Sequence, residues 1–375
     1  MSRMSPPSRL RALLSGRIAP VAVAHGLLLG IVLGVTLAAS LPARAAPDAV
    51  PVIETWLLPR YDALAALTAR QDEDWRAFCA KPTAEGVATL TRDFRAAGDA
   101  WAQVSFVTFG PVILALRADR FNLFPDKRNA VSRSIPELLA DPDDARLQAD
   151  RFPRLSAAVQ GLPALERVLF EPNAAQDLVS GPQAARRCQL GAAIALNLAT
   201  IAKEIRTGWG TETAGLLAEV KSGTGDKVFL PDPAQVPSLI LTDLAGAYQR
   251  VVDQGLIAVL GKSLEEAKPQ SGEGRRAGRE AAVLQQMVTS ANALGTQLAA
   301  DLPEPAKGQV LARFAAAQKA VDGLPADLGA AAADPKRRKL LENAVTEVKA
   351  AQKAVVDPLA AKLGVPLGFN ALDGD

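Results

Sequence analysis

The stretch RRCQLGAAIALNLATIAKEIR, residues 186–206, carries the apolar spacing that decides the class of this chain. Leu190, Ile194, Leu198, Ile201 and Ile205 follow one another at intervals of four, four, three and four. That repeat lines a single face of an α-helix. A strand would need alternation every second residue, and none is present here.

Working outward, the same 3.6-residue logic recurs on both sides. A first helix is predicted over 51–80, with Trp56, Pro59 and Tyr61 near its start. Thr83 and Glu85 open a second, which continues through Phe94, Trp101 and Val104 until Pro111 kinks or restarts it. RFNLFPDKRN, residues 120–129, reads as a loop, and Asp141-Pro142 as a helix start with Asp as cap and Pro in the first turn. Downstream, helices are predicted over 238–260, 278–302, 307–322 and 335–363. The last carries Leu341, Val345, Val348 and Val355 on one face and stops at Gly364, with Pro366 beyond.

Composition agrees with the periodicity. The 375 residues are 49% apolar and 22% charged but only 5% aromatic, which suits helices packed through small and aliphatic side chains better than β-sheets. The expected fold is therefore all-α, with two helical-bundle halves of up-down helices packed together. The Gly-, Pro- and charge-rich KSGTGDKVFLPDPAQVP, residues 221–237, is the expected connection between an N-terminal bundle (46–220) and a C-terminal bundle (238–375).

Residues 1–45 read as a signal peptide. Arg3, Arg9, Arg11 and Arg17 precede an uncharged stretch from 18 to 41, and Ala43-Arg44-Ala45 supplies a small-x-small cleavage site. An uncleaved anchor is the alternative, since about 20 apolar residues span a bilayer. No later segment is long and apolar enough to span, so no stable membrane span is expected after cleavage. Cleavage places the product in the periplasm or cell envelope. Removing the five basic residues of this segment leaves 37 Lys and Arg against 40 Asp and Glu, a net charge of −3. No basic footprint for nucleic acid remains.

Two cysteines, Cys79 and Cys188, suit a disulfide in an oxidising compartment, with two separate buried thiols as the alternative. The single histidine, His25, lies in the leader, so the cleaved chain has none. Zinc motifs of the H-E-x-x-H kind, histidine-based triads and 2-His-1-carboxylate iron sites are thereby excluded. Gly261-Lys262-Ser263, after Gly255, has five residues between its glycines where a phosphate loop needs four, and no strand precedes it. At the C-terminus, GFNALDGD (368–375) lacks the ligands of a calcium loop and reads as a packed tail.

The stretch AAVQGLPALERVLFE, residues 157–171, is the most informative for function. Gly161 permits a close backbone approach, Pro163 suits the first turn of a new helix, and Glu166 lies one turn further on. Taken by residue type alone, Glu166 is a surface or capping carboxylate.

Together with W-x-x-P-x-Y (Trp56, Pro59, Tyr61), RADRFNLFPDKRN (117–129), RRCQL around Cys188 and the closing LGFNALDGD, this stretch resembles the imelysin family, the M75 peptidase-like group that includes iron-regulated envelope proteins. Gly161 and Glu166 match the family's G-x-H-x-x-E pattern, and Pro163 stands at the histidine position. The resemblance implies two helical-bundle halves, an envelope location, links with iron acquisition and a proposed metallopeptidase activity. Proline offers no donor atom, so catalysis of that kind is not carried over to this chain. A hard cation held by Asp119, Asp126 and Glu166 is one expectation, since Mg²⁺, Ca²⁺ and ferric iron accept oxygen ligands. An anionic ligand received by Lys127 and Arg128 is another. The leading functional reading is a non-catalytic binding or accessory protein of the envelope, linked to metal or iron uptake, with an unknown envelope partner or ligand. An M75-type metallopeptidase and a partner-docking scaffold are the alternatives.

Overall fold

In the computed structural model, residues 49–211, 213–224 and 232–364 are described. They are helical throughout, with no β-strand among the described residues beyond one isolated bridge, Thr211 to Ala214. The predicted leader with His25, the middle of the predicted connection and the GFNALDGD tail lie outside the described residues.

Eight long or site-forming helices organise the rest: α1 (Leu58–Ala80), α2 (Ala84–Ala102), α3 (Leu162–Phe170), α4 (Ala184–Trp209), α5 (Val236–Arg250), α6 (Glu280–Leu298), α7 (Ala306–Asp322) and α8 (Arg338–Leu363). α1 packs on α2 and α4, while α8 packs on α5 and α7. α6 joins the two groups by lying against α2 on one side and α5 and α7 on the other.

The periodicity that opened the argument is borne out: Leu190, Ile194, Leu198, Ile201 and Ile205 of α4 are all fully buried. On the same helix, Gly191 lets Trp75 of α1 close in, because a Cβ at 191 would sit 2.1 Å from the indole. About one helical turn from this contact, Cys188 forms a disulfide with Cys79 at a Cα–Cα distance of 5.6 Å, joining the end of α1 to the start of α4. On α8, Leu341, Val348 and Val355 are fully buried and Val345 is half-buried, and Gly364 closes the helix in the left-handed conformation.

Helix starts follow local chemistry. Thr83 Oγ1 accepts from Gly86 N at 3.0 Å and caps α2, as its sequence position predicts. Pro59 sits just inside α1, where it cannot donate to the turn before it. The preceding Ile53–Leu57 is wound as a π-helix, a wider turn that eases a proline into a continuing helix.

Three boundaries differ from the sequence expectation. α2 ends at Ala102, well before Pro111, which instead lies in the first turn of a 3₁₀ segment, Gly110–Leu116. Asp141-Pro142 does not open a helix: Asp141 closes the helix Ala130–Ala140, and its carboxylate accepts from Asp143 N. Arg120 still belongs to a short helix, Arg117–Phe121, so the loop starts at Asn122. Of these, only Asp141-Pro142 reverses its sense: an aspartate compatible with a helix start serves a stop instead.

Candidate functional site

A cleft of about 1010 Å³ opens where the two groups of helices meet. One wall is the exposed stripe of α3. Pro163, Glu166 and Arg167 are spaced three and four apart, so they share one helical face, and all three line the cleft. α2 contributes Arg95 and Asp99, again four apart. The opposite wall is the turn-rich segment 268–279 between α5 and α6, together with Asp253 and Gln254 from a π-helical turn, Val251–Ile257.

Gly161 sets the position of α3. A Cβ there would lie 2.4 Å from Phe121 O and 2.8 Å from Arg120 O. Only glycine lets the start of α3 press against the backbone of Arg117–Phe121, so the expected close approach is present. Pro163 then occupies the first turn, where its missing N–H costs nothing.

Glu166 is not a surface carboxylate. It is only 7% exposed, and its Oε1 accepts from Ala277 N at 3.0 Å, across the cleft from α3. Burial pushes its pKa up, and the Ala277 N–H and the Arg276 guanidinium oppose that shift. The carboxylate therefore acts as a brace between α3 and the 268–279 segment.

The cations around it are unevenly matched. Arg167 and Arg276 both converge on Glu171 Oε1, at 2.5 and 3.0 Å, and Arg167 also donates to Ser132. Arg279 pairs with Asp99, and Arg95 lies over the Phe170 ring at 5.9 Å. Lys127, Lys268 and Arg275 line the cleft without an ion pair among the described residues.

Behind the cleft floor runs a buried polar chain. Asn122 donates to Glu273 Oε1 at 2.6 Å, Glu273 faces Arg250, and Arg250 donates to Ser105 O. Glu280 accepts from Leu328 N at 2.9 Å. Burial raises the pKa of both glutamates. Further along the junction, Asp243 accepts from Thr108 N at 2.9 Å and Thr108 Oγ1 at 2.5 Å. Burial drives its pKa up to about 7 against those two bonds and Arg250.

The candidate residues read from sequence are only partly assembled. Gly161, Pro163, Glu166, Asp126 and Lys127 meet at or beside the cleft, whereas Asp119 and Arg128 are exposed and do not line it. Asp126 is a helix cap: its Oδ1 and Oδ2 accept from Ala130 N and Val131 N at 2.8 and 2.9 Å. Asp119, Asp126 and Glu166 therefore do not form a cation site. No group of three or more His, Cys, Asp or Glu suited to a metal occurs among the described residues. A family metal does not fit this donor set: residue 163 has no donor atom, Glu166 is committed to Ala277, and Asp126 to two backbone N–H groups. Gly261 ends the helix that follows the π turn, at φ +62°, so Gly261-Lys262-Ser263 is a helix stop and not a phosphate cradle. Sequence reasoning missed Arg167, Arg275, Arg276 and Glu273. The one available signal was the density of Gly and Arg in GEGRRAGR, residues 272–279.

The sequence matches the family model described as imelysin, the M75 peptidase group, over residues 57–355. No curated protein gives a match. Among solved structures, the fold is similar to that of an imelysin-like protein from Psychrobacter arcticum 273-4. That likeness has 19% identity and a TM-score of 0.68, and it covers 85% of this chain and 96% of the other. It is also similar to a Parabacteroides distasonis ATCC 8503 protein described as an iron-regulated protein A precursor. Here the identity is 14% and the TM-score 0.61, with coverage of 82% and 94%. At these identities the likeness concerns the fold.

Proposed function

The chain belongs to the imelysin family, and from that premise we propose that it is an exported, non-catalytic binding protein of the cell envelope whose ligand occupies the cleft beside Glu166. The observation that carries this reading is the state of the motif itself. Residue 163 is proline, and Glu166 spends its carboxylate on Ala277 N, 111 residues away. A hydrolytic site would need that carboxylate free to hold a metal or to move a proton.

Export rests on the leader, residues 1–45, and on the cysteine pair, which belongs in an oxidising compartment. It is compatible with the absence, among the described residues, of any helix long and apolar enough to cross a membrane. The link to metal or iron uptake rests on family membership and on the Parabacteroides protein described as iron-regulated.

The competing reading is a metallopeptidase of the M75 kind. Incubation of the purified protein with casein, with and without chelator, separates the two. We expect no cleavage in either condition. Cleavage that chelator suppresses and Glu166→Gln abolishes would overturn the non-catalytic reading.

A further inference from the structure

Resting on the reading of the cleft as a ligand site, we propose that Arg167 on one wall and Arg275 and Arg276 on the other, supplemented by Lys127, bind a small polyanion carrying two or more carboxylate or phosphate groups.

Seven basic and five acidic side chains line the cleft. Four of the acids are engaged by protein groups: Glu166 by Ala277 N, Asp99 by Arg279, Asp126 by two backbone N–H groups, and Glu273 by Asn122. Of the basic side chains, Arg95, Arg167, Arg276 and Arg279 have protein partners, whereas Lys127, Lys268 and Arg275 have no ion pair among the described residues. Arg167 and Arg276 share a single oxygen of Glu171, with the Glu166 carboxylate as their other charged neighbour. Arg276 uses only Nε in that contact, which leaves both of its terminal nitrogens to donate elsewhere.

Arg275 adds an independent sign. Its Nε is buried and has no hydrogen-bond partner, although the residue lines the cleft. A buried N–H of a cation left unpaired is costly, and an oxyanion is its natural complement. Planar guanidinium forks match carboxylate and phosphate oxygens two at a time, which favours a ligand with several such groups.

Size points the same way. A volume of about 1010 Å³ exceeds what a bare ion fills and falls at the upper end of ordinary small-molecule sites. Phe94, Leu162 and Val283 supply apolar surface for the body of such a ligand.

The test is calorimetric titration of the purified full chain with citrate, as the polycarboxylate, and with pyrophosphate, as the polyphosphate, at low ionic strength. At least one should bind, more weakly as salt rises, and the two arms distinguish the carboxylate from the phosphate source. The Arg275→Gln/Arg276→Gln double variant should weaken binding by at least about tenfold at a temperature where circular dichroism shows it folded, and Arg275→Gln alone, which breaks no ion pair, should weaken it in the same direction. Gly98→Trp fills the cleft without changing its charge, since nothing lies within 4 Å of a Cβ there, and it should also weaken binding. Failure of both anions, or binding indifferent to the arginine pair, would overturn the assignment. If instead a neutral or cationic compound from a broad panel binds and Gly98→Trp blocks it, the cleft reading survives while the polyanion assignment falls. If no compound binds at all, both fall.

Discussion

Glu166 shows how far a residue's role can depart from its type. A glutamate on a nine-residue helix would ordinarily face water, yet here it is buried and holds a backbone N–H from the far side of the cleft. Its pKa is raised by burial, so ionisation at neutral pH is a cost that the Ala277 and Arg276 contacts offset. Glu166→Gln keeps an acceptor for Ala277 N and drops the charge. It should leave stability at pH 7 within about 1 kcal/mol of the parent. Glu166→Ala strands the Ala277 N–H and should lose about 1–3 kcal/mol. Urea unfolding of the two variants at pH 7 checks this. Equal losses would mean that the negative charge itself is needed, as for a bound cation.

At the scale of elements, the helices were legible because burial is periodic along them. α4, α7 and α8 lie within two or three residues of their sequence-based bounds. Asp141-Pro142 departs from its sequence reading because proline and aspartate serve helix starts and stops alike, and the choice depends on what the next residues pack against. The cap given by Asp126 to Ala130–Ala140 was hidden for the same reason: Asp126 looked like a loop charge until the helix it caps was in place. The α1–α4 crosslink was legible only as a pairing of cysteines. It closes 109 residues, and in the loop-entropy model this corresponds to about 4–5 kcal/mol. The Cys79→Ser/Cys188→Ser variant should unfold at a lower urea midpoint than the oxidised protein, with an unfolding free energy reduced by that order. An unchanged midpoint would mean that the unfolded chain is already compact enough to make the link redundant.

At the scale of the whole molecule, the junction between the helix groups is held by polar clasps as well as apolar packing. Trp56 Nε1 donates to Ser290 O at 3.1 Å, Gln103 Nε2 to Gln286 Oε1 at 2.9 Å, and Thr108 to Asp243. Asp243 makes this junction pH-sensitive. Burial holds its pKa at about 7, against an ordinary value of 3.8, so between those values the folded protein retains a proton that the unfolded chain has released. Stability therefore falls as pH rises from about 4 to 7, by on the order of a few kcal/mol from this group. Arg250 and Tyr61 are its charged and titratable neighbours, and neither changes ionisation in that window. Asp243→Asn keeps an acceptor for Thr108 N, donates its amide to Thr108 Oγ1 and does not titrate, so it should flatten that slope, measured by urea unfolding at pH 4.5 and 7.5. A slope identical to the parent's would place the titration elsewhere.

What the sequence determined by itself was the all-helical class, the helix faces, the Gly161 contact and the loss of a donor at Pro163. These are properties of spacing and residue type, which act over one or two turns. Only the tertiary structure decided that Glu166 is a brace, that Asp119 and Asp126 do not join it, and that Arg167, Arg275 and Arg276 share one cleft. Arg167 is separated from the adjacent Arg275 and Arg276 by more than a hundred residues of chain, and nothing local records which side chains a distant loop will meet. Burial and charge balance at the cleft are set by that meeting.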